Sequence, residues 1–188
     1  PLFQSAFGPD AKIDLATITT AIAEFEKTLI TPDSPFDEYL KGNASALSEH
    51  AKRGYDKFKS IGCSGCHSGI ALGGGAYEAM GLEGDYFKDR GGKLTAADEG
   101  RFDVTHNPED HSRFVVPTLR NIDQTAPYFH DGSVKTLDEA VRKMAKYQTP
   151  DAAISDQDVS DIVAFLKSLT GKYNGHSLAE MGQPAAAQ

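Results

Sequence analysis

The sequence predicts an all-α fold, and two observations carry that reading. Four stretches repeat apolar residues at steps of three and four, and no stretch alternates apolar with polar residues cleanly enough for a strand. A third observation shapes the architecture: an irregular region from about Ser68 to Lys135 separates the second stretch from the third. Connections of that length inside a compact domain are usually functional or wrapped around something.

The first helix is read from Leu15, Ile18, Ile22, Phe25 and Leu29, a spacing that implies one buried face. Asp14 is its expected N-cap, and Pro32 stops it near Ile30. The second runs from about Ser48 to Ser60 and is expected to bury Ala51, Tyr55 and Phe58. The third opens on Thr136, whose hydroxyl and Glu139 suit a capping box, and it aligns Leu137, Ala140, Val141 and Met144. The fourth starts at Ser155 and carries Val159, Ile162, Val163, Leu166 and Leu169, with Gly171 as its expected C-terminal stop. Glycine pairs and triplets and Pro108, Pro117 and Pro127 punctuate the irregular region. The Pro/Ala/Gln tail from Gln183 to Gln188 is expected to fray.

Chemistry concentrates just after the second helix, at Cys63-Ser64-Gly65-Cys66-His67. Two thiols separated by two residues can add across the two vinyl groups of one haem, and the histidine that follows is then held under the iron as an axial ligand. A large apolar disc would also account for the long loop that must wrap it. Three plainer readings compete. A thioredoxin-like dithiol needs a βαβ setting that the helical pattern lacks. A structural zinc site needs a second close pair of ligands. A disulfide between cysteines this near closes too small a loop to stabilise much. Covalent haem attachment through Cys63 and Cys66, with His67 on the iron, is the reading the motif favours.

The ligand on the other haem face is less legible. Met80, Met144 and Met181 are candidates, as are His50, His106, His111, His130 and His176. Met80 follows the motif closely in a glycine-rich stretch, so its reach to the opposite face looks strained. Met181 lies in the tail. Met144 shares a helix face with Ala140 and Val141, which suits a ligand and a flexible core filler equally.

Other strings carry a resemblance. Leu119-Arg120-Asn121, Thr125-Ala126-Pro127-Tyr128-Phe129-His130-Asp131-Gly132, Phe25-Glu26-Lys27-Thr28-Leu29 and Ser34-Pro35-Phe36-Asp37 are similar to the bacterial dihaem cytochrome c peroxidase family. The likeness runs from about Phe3 to Leu169 and corresponds to the carboxy-terminal, electron-transferring half, a cytochrome c-like helical haem domain with long loops around the haem. It implies a His/Met-ligated haem with the methionine at Met144. It also implies a calcium ion between the two halves, held by backbone oxygens of Thr125 and Pro127 and by an Asn of the other half; simple turn chemistry is the alternative for these two residues. His130 is expected to hydrogen-bond near the haem rather than bind iron. The parent reaction is reduction of hydrogen peroxide to water with electrons from small cytochromes or cupredoxins.

One departure matters. The family has two Cys-x-x-Cys-His motifs, with peroxide reacting at the haem of the first, and this chain has one. Together with the start at Pro1, this suggests a fragment, a cleaved product or a separately produced domain, whose partner is the missing amino-terminal haem domain. A self-contained monohaem carrier is the leading alternative. Others are a tryptophylquinone-forming branch with a tyrosine ligand, for which Tyr147 could compete, and an open-site sensing module. The expected divisions are residues 1–45, a helix and linker packing on the haem domain; 46–173, the haem domain; and 174–188, the tail.

Composition narrows the classes further. A net charge of −8 argues against nucleic acid, since no basic stripe exists to displace counterions. No apolar run approaches the roughly 18 residues of a bilayer span. Covalent haem and the resemblance point to the bacterial periplasm, and a homodimer is left open.

Overall fold

The computed structural model describes residues 2–150 and 153–181. The Gln183–Gln188 tail lies outside the described residues. Helices α1 (Leu2–Phe7), α2 (Leu15–Glu26) and α3 (Pro35–Leu40) precede α4 (Glu49–Ser60) and the single turn α5 (Cys63–Cys66). Short helices α6 (Tyr86–Arg90) and α7 (Phe102–Thr105) lie in the long connection, and α8 (Leu137–Gln148), α9 (Asp156–Lys167) and α10 (Leu178–Met181) follow. The fold is mostly helical, as its sequence predicts. Two small antiparallel ladders were not legible: β1 (Tyr77–Ala79) pairs with β2 (Arg113–Val115), and β3 (Lys172–Tyr173) with β4 (His176–Ser177).

The core forms where α4 crosses α9. Phe165 is fully buried there, with Phe36, Phe58 and Tyr55 around it at ring-centroid distances of 5.2, 5.2 and 5.1 Å. Burying one such ring is worth roughly 1.5–3 kcal/mol. The helices approach closely because residue 54 is glycine: a Cβ there would sit 1.8 Å from the Asp161 carbonyl oxygen. Arg53 and His50 then reach from α4 to the buried Asp161 carboxylate, with Arg53 Nε and His50 Nδ1 each 2.7 Å away. Leu137, Ala140 and Val141 of α8 complete the cluster. Ala51 and Phe58 are buried as expected, while Tyr55 is only half-buried.

Helix boundaries follow their caps. Ser48 and Ser155 cap α4 and α9, and the Ser155 bond is returned by Asp158 in a full capping box. Thr136 caps α8, accepting from the Glu139 amide, but Glu139 does not return the bond; its carboxylate turns to Lys143, 3.6 Å away. Gly171 is not the stop of α9, which ends at Lys167 with Ser168 as its cap. Gly171 is needed for packing instead, since a Cβ there would lie 2.0 Å from the Thr31 carbonyl oxygen.

The first helical stretch departs most from its expectation. It starts at its Asp14 cap but ends at Glu26, and none of its residues is buried. Ile22 and Phe25 are 52% and 59% exposed, because no element of the described chain covers their face. Attachment to the haem domain begins after it. Lys172 N–H donates to the Pro32 carbonyl, Asn121 Nδ2 donates to Thr31 Oγ1, and Arg120 reaches Asp37 at 2.7 Å. Phe36 then enters the core.

Candidate functional site: an apolar cavity between the cysteine motif and α8

A cavity of about 540 Å³ opens between α5 and α8. Gly62, in the left-handed region at φ +95°, breaks the chain out of α4 and starts α5. One helical turn then sets Cys63 and Cys66, three residues apart, on a single face. Both thiols line the cavity and neither is bridged.

Behind them, His67 sits against Phe58, with ring centroids 6.4 Å apart. Its Nδ1 lies 3.2 Å from the Leu72 carbonyl oxygen. A carbonyl can only accept, so Nδ1 carries the proton and Nε2 keeps its lone pair. Burial lowers the His67 pKa, and the Leu72 and Pro117 carbonyls only partly oppose this, so the ring is neutral at physiological pH, as a metal ligand must be. Burial pushes the Cys63 thiol up to about 11 and raises Cys66 as well.

Part of the cavity wall belongs to α8. Leu137, Ala140, Val141, Met144 and Gln148 face the cavity, and Ile162 and Leu166 of α9 close its back. The long connection supplies the remaining sides through Glu78, Met80, the strand around Phe114 and the segment from Thr125 to His130. The region that looked irregular therefore wraps the cavity. The lining is mainly aliphatic and aromatic, of a size that suits a flat apolar cofactor.

Of the sequence candidates, the cavity brings together Cys63, Cys66, His67, Met144, His130, Thr125 and Pro127. Met80, whose reach to the opposite haem face looks strained from the sequence, also lines it. The reason is the β1–β2 ladder: the Met80 amide donates to the Ser112 carbonyl, and β1 returns along β2 to the cavity. Exposed Met181, His50, His106, His111 and His176 do not line it. Neither does Tyr147, whose hydroxyl donates to Asp89 at 2.9 Å. Thr125 and Pro127 stand at the rim, both exposed.

His130 is anchored by a network that was not read from the sequence. Its ring stacks on Phe114 at 4.3 Å, and its Nε2 lies 2.7 Å from the buried Asp98 carboxylate. Arg90 forks onto Asp98 at 2.7 and 2.8 Å, and both the amide and hydroxyl of Thr95 donate to it. These donors hold the Asp98 carboxyl far below its ordinary range. The Thr95-x-x-Asp98 spacing was the available signal, as a capping pattern. Asp98, His130 and Asp131 are the only convergent donor trio among the described residues, and Arg90 already pairs with both carboxylates. Cys63, Cys66 and His67 thus lack the further ligands a zinc site needs.

Comparison with known proteins agrees with this geometry. Residues 51–170 match the family model described as "Cytochrome c". The chain belongs to the cytochrome c family. A cytochrome c domain carries haem c, and the cavity holds the two thiols, the imidazole and the apolar lining that haem c requires. Ahead of the cytochrome c domain, residues 1–45 match a second model, described as "Di-haem cytochrome c peroxidase".

Relatives of the domain include the cytochrome c peroxidase Ccp of Escherichia coli K12, 54% identical and matched over 83% of this chain and 33% of its own length. The cytochrome c551 peroxidase of Pseudomonas aeruginosa is 45% identical over 90% of this chain and 48% of its own. The chain thus spans half or less of the length of these relatives. A crystal structure of a MauG-like protein associated with microbial copper homeostasis superposes with a TM-score of 0.75 at 31% identity, covering 90% of this chain and 57% of that one. No described helix is long and apolar enough to cross a membrane.

Proposed function

We propose that this chain is the electron-transferring haem domain of a two-haem cytochrome c peroxidase, working in the bacterial periplasm. The observation that carries the reading is the cavity itself, whose lining includes Cys63, Cys66 and His67 together with Met144 of α8. Cys63 and Cys66 would tether the haem, His67 would bind its iron through Nε2, and Met144 would supply the second protein ligand. When bound, the haem supplies a one-electron iron couple. The chain sets its potential through a thioether ligand, an apolar wall and a histidine oriented by the Leu72 carbonyl.

With His67 and Met144 both on the iron there would be no place for peroxide, and this half would accept electrons from a small cytochrome or cupredoxin and pass them to a second haem. In the parent enzyme, reduction of hydrogen peroxide to water would belong to that second haem. The apolar face open on α2 supports a covering amino-terminal haem domain over a self-contained monohaem carrier. Residues 1–45 then belong with that interface, and calcium held by the Thr125 and Pro127 carbonyls would bridge the halves.

The test is rapid mixing of the ferric haem-loaded chain with a reduced small cytochrome or cupredoxin, followed by carbon monoxide. One-electron reduction and a ferrous form that resists carbon monoxide are expected. Rapid carbon monoxide binding would mean an open site and a different function.

A further inference from the structure

Met80 and Met144 are the only thioethers lining the cavity, and they stand on the same side of it. Gln148 establishes this. It lies four residues after Met144 on α8, so both side chains share one helix face. From there its amide clasps the loop that follows β1. Oε1 accepts from the amides of Gly81 and Leu82 at 3.1 and 2.9 Å, while Nε2 donates to the Ala79 carbonyl at 3.0 Å. The second hydrogen on Nε2 faces the Met80 sulfur at 3.9 Å. Every hydrogen-bonding position of this amide is therefore spent on residues 79–82, one of them on the sulfur.

The loop is built to keep that position. Gly81 has φ +98°, and a Cβ there would come within 2.4 Å of the Gly84 carbonyl oxygen. The Glu83 amide donates to the Tyr147 carbonyl at 2.9 Å, which stitches the loop further along the end of α8. Met80 is thus held beside Met144 on a wall otherwise without soft ligands. A filler for that wall needs no bond to its sulfur, and valine or leucine would serve as well. A thioether on three rotatable bonds can swing, and iron accepts it readily.

We propose that Met80 is a second axial ligand held in reserve, and that it takes the iron when Met144 is lost. This rests on Met144 being the ligand in the unaltered protein.

The experiment compares the ferric spectra of the haem-loaded chain and its Met80→Leu, Met144→Ala and Met80→Leu/Met144→Ala variants, reading the sulfur-to-iron charge-transfer band. The band is expected unchanged in Met80→Leu, shifted but present in Met144→Ala, and absent from the double variant, which then binds carbon monoxide. A Met144→Ala spectrum without the band overturns the proposal, whether the iron is left open or is captured by His130. Loss of the band in Met80→Leu alone would instead show that Met80 is the resident ligand, so the Met144 assignment fails separately. A second reading uses no substitution at the iron. In the diamagnetic ferrous form of the unaltered chain, the Met80 methyl resonance should be shifted upfield by the porphyrin ring current. An unshifted Met80 methyl places its side chain away from the haem and also overturns the proposal.

Discussion

The Nδ1 proton of His67 points at the Leu72 carbonyl oxygen, 3.2 Å away, and that single bond decides which ring nitrogen faces the cavity. The partner is a backbone atom five residues on, so the orientation is set by the path of the chain rather than by another side chain. Cys63 and Cys66 present their sulfurs to the same cavity from the preceding turn. Haem bound here is expected to be covalent. After denaturation and extraction into acidic organic solvent it should stay with the polypeptide, at one haem per chain; haem passing into the organic layer would contradict the attachment.

Met144 lines the cavity from α8. Met144→His should lower the reduction potential, because imidazole favours ferric iron more than a thioether does. The same change should abolish the sulfur-to-iron band. Potentiometric titration and the ferric spectrum report the two effects independently. A band that survives with its potential unchanged would assign the ligand elsewhere.

The motif and the α4, α8 and α9 patterns were legible because each is local. Cys63, Cys66 and His67 lie within five residues, and a cap such as Ser155 acts on an amide three residues away. Gly171 was misread for the converse reason. Its constraint is the carbonyl of Thr31, 140 positions earlier, and nothing in the sequence beside it reports that contact. The apolar stripe on α2 implied a buried face that the described chain does not provide: periodicity shows only that a face seeks cover.

Gly54 and Asp161 set the closest approach of α4 to α9. Gly54→Ala places a methyl 1.8 Å from a helical carbonyl that cannot yield without moving α9. The better helix propensity of alanine returns only about 1 kcal/mol. Overpacking of a tight contact costs roughly 1–3 kcal/mol or more, so a net loss is expected, visible as a lower denaturation midpoint at unchanged slope. Stability equal to the parent would mean that the crossing is looser than described.

The same crossing carries a pH dependence. The Arg53 guanidinium holds the Asp161 carboxyl down to about 2, with His50 and Gln157 adding hydrogen bonds. A carboxyl whose folded pKa lies below its unfolded value stabilises the fold fully above about pH 4 and loses that contribution as pH falls towards about 2. Arg53 and His50 are half-exposed, so solvent screening limits the effect to roughly 1 kcal/mol. Asp161→Asn should therefore be less stable than the parent at pH 7, with the gap narrowing below about pH 4. Denaturant titrations across that range measure it, and a gap independent of pH would exclude the ion pair as its source.

What the sequence withheld about the site lies in the long connection. Met80 reaches the cavity only because β1 finds β2, and Tyr77 and Val115 are 38 positions apart in that ladder. Asp98 gathers Arg90, Thr95 and His130 from three separate turns. Segments this short give no periodicity that could register, and the contacts that fix them are distant in the chain. The resemblance supplied Met144, Thr125 and Pro127, while the residues that shape the wall around them emerged only from the folded chain.

Peroxide must reach iron before its O–O bond can break, and a haem held by His67 and Met144 offers no vacant position. Thioether ligation exchanges slowly, and a second sulfur at Met80 would shorten any opening. Some dye oxidation by adventitious release is compatible with this, but sustained oxidation of reduced cytochrome c should be negligible for residues 1–188 alone. Turnover should appear when the other haem half is supplied, because the α2 face and the Thr125/Pro127 rim would then gain their partner. Calcium should strengthen that association. Steady-state oxidation of reduced cytochrome c by peroxide, with and without the other half and with calcium present or chelated, tests each statement. Full activity from the isolated chain would make this haem the peroxidatic centre and reverse the division of labour between the two.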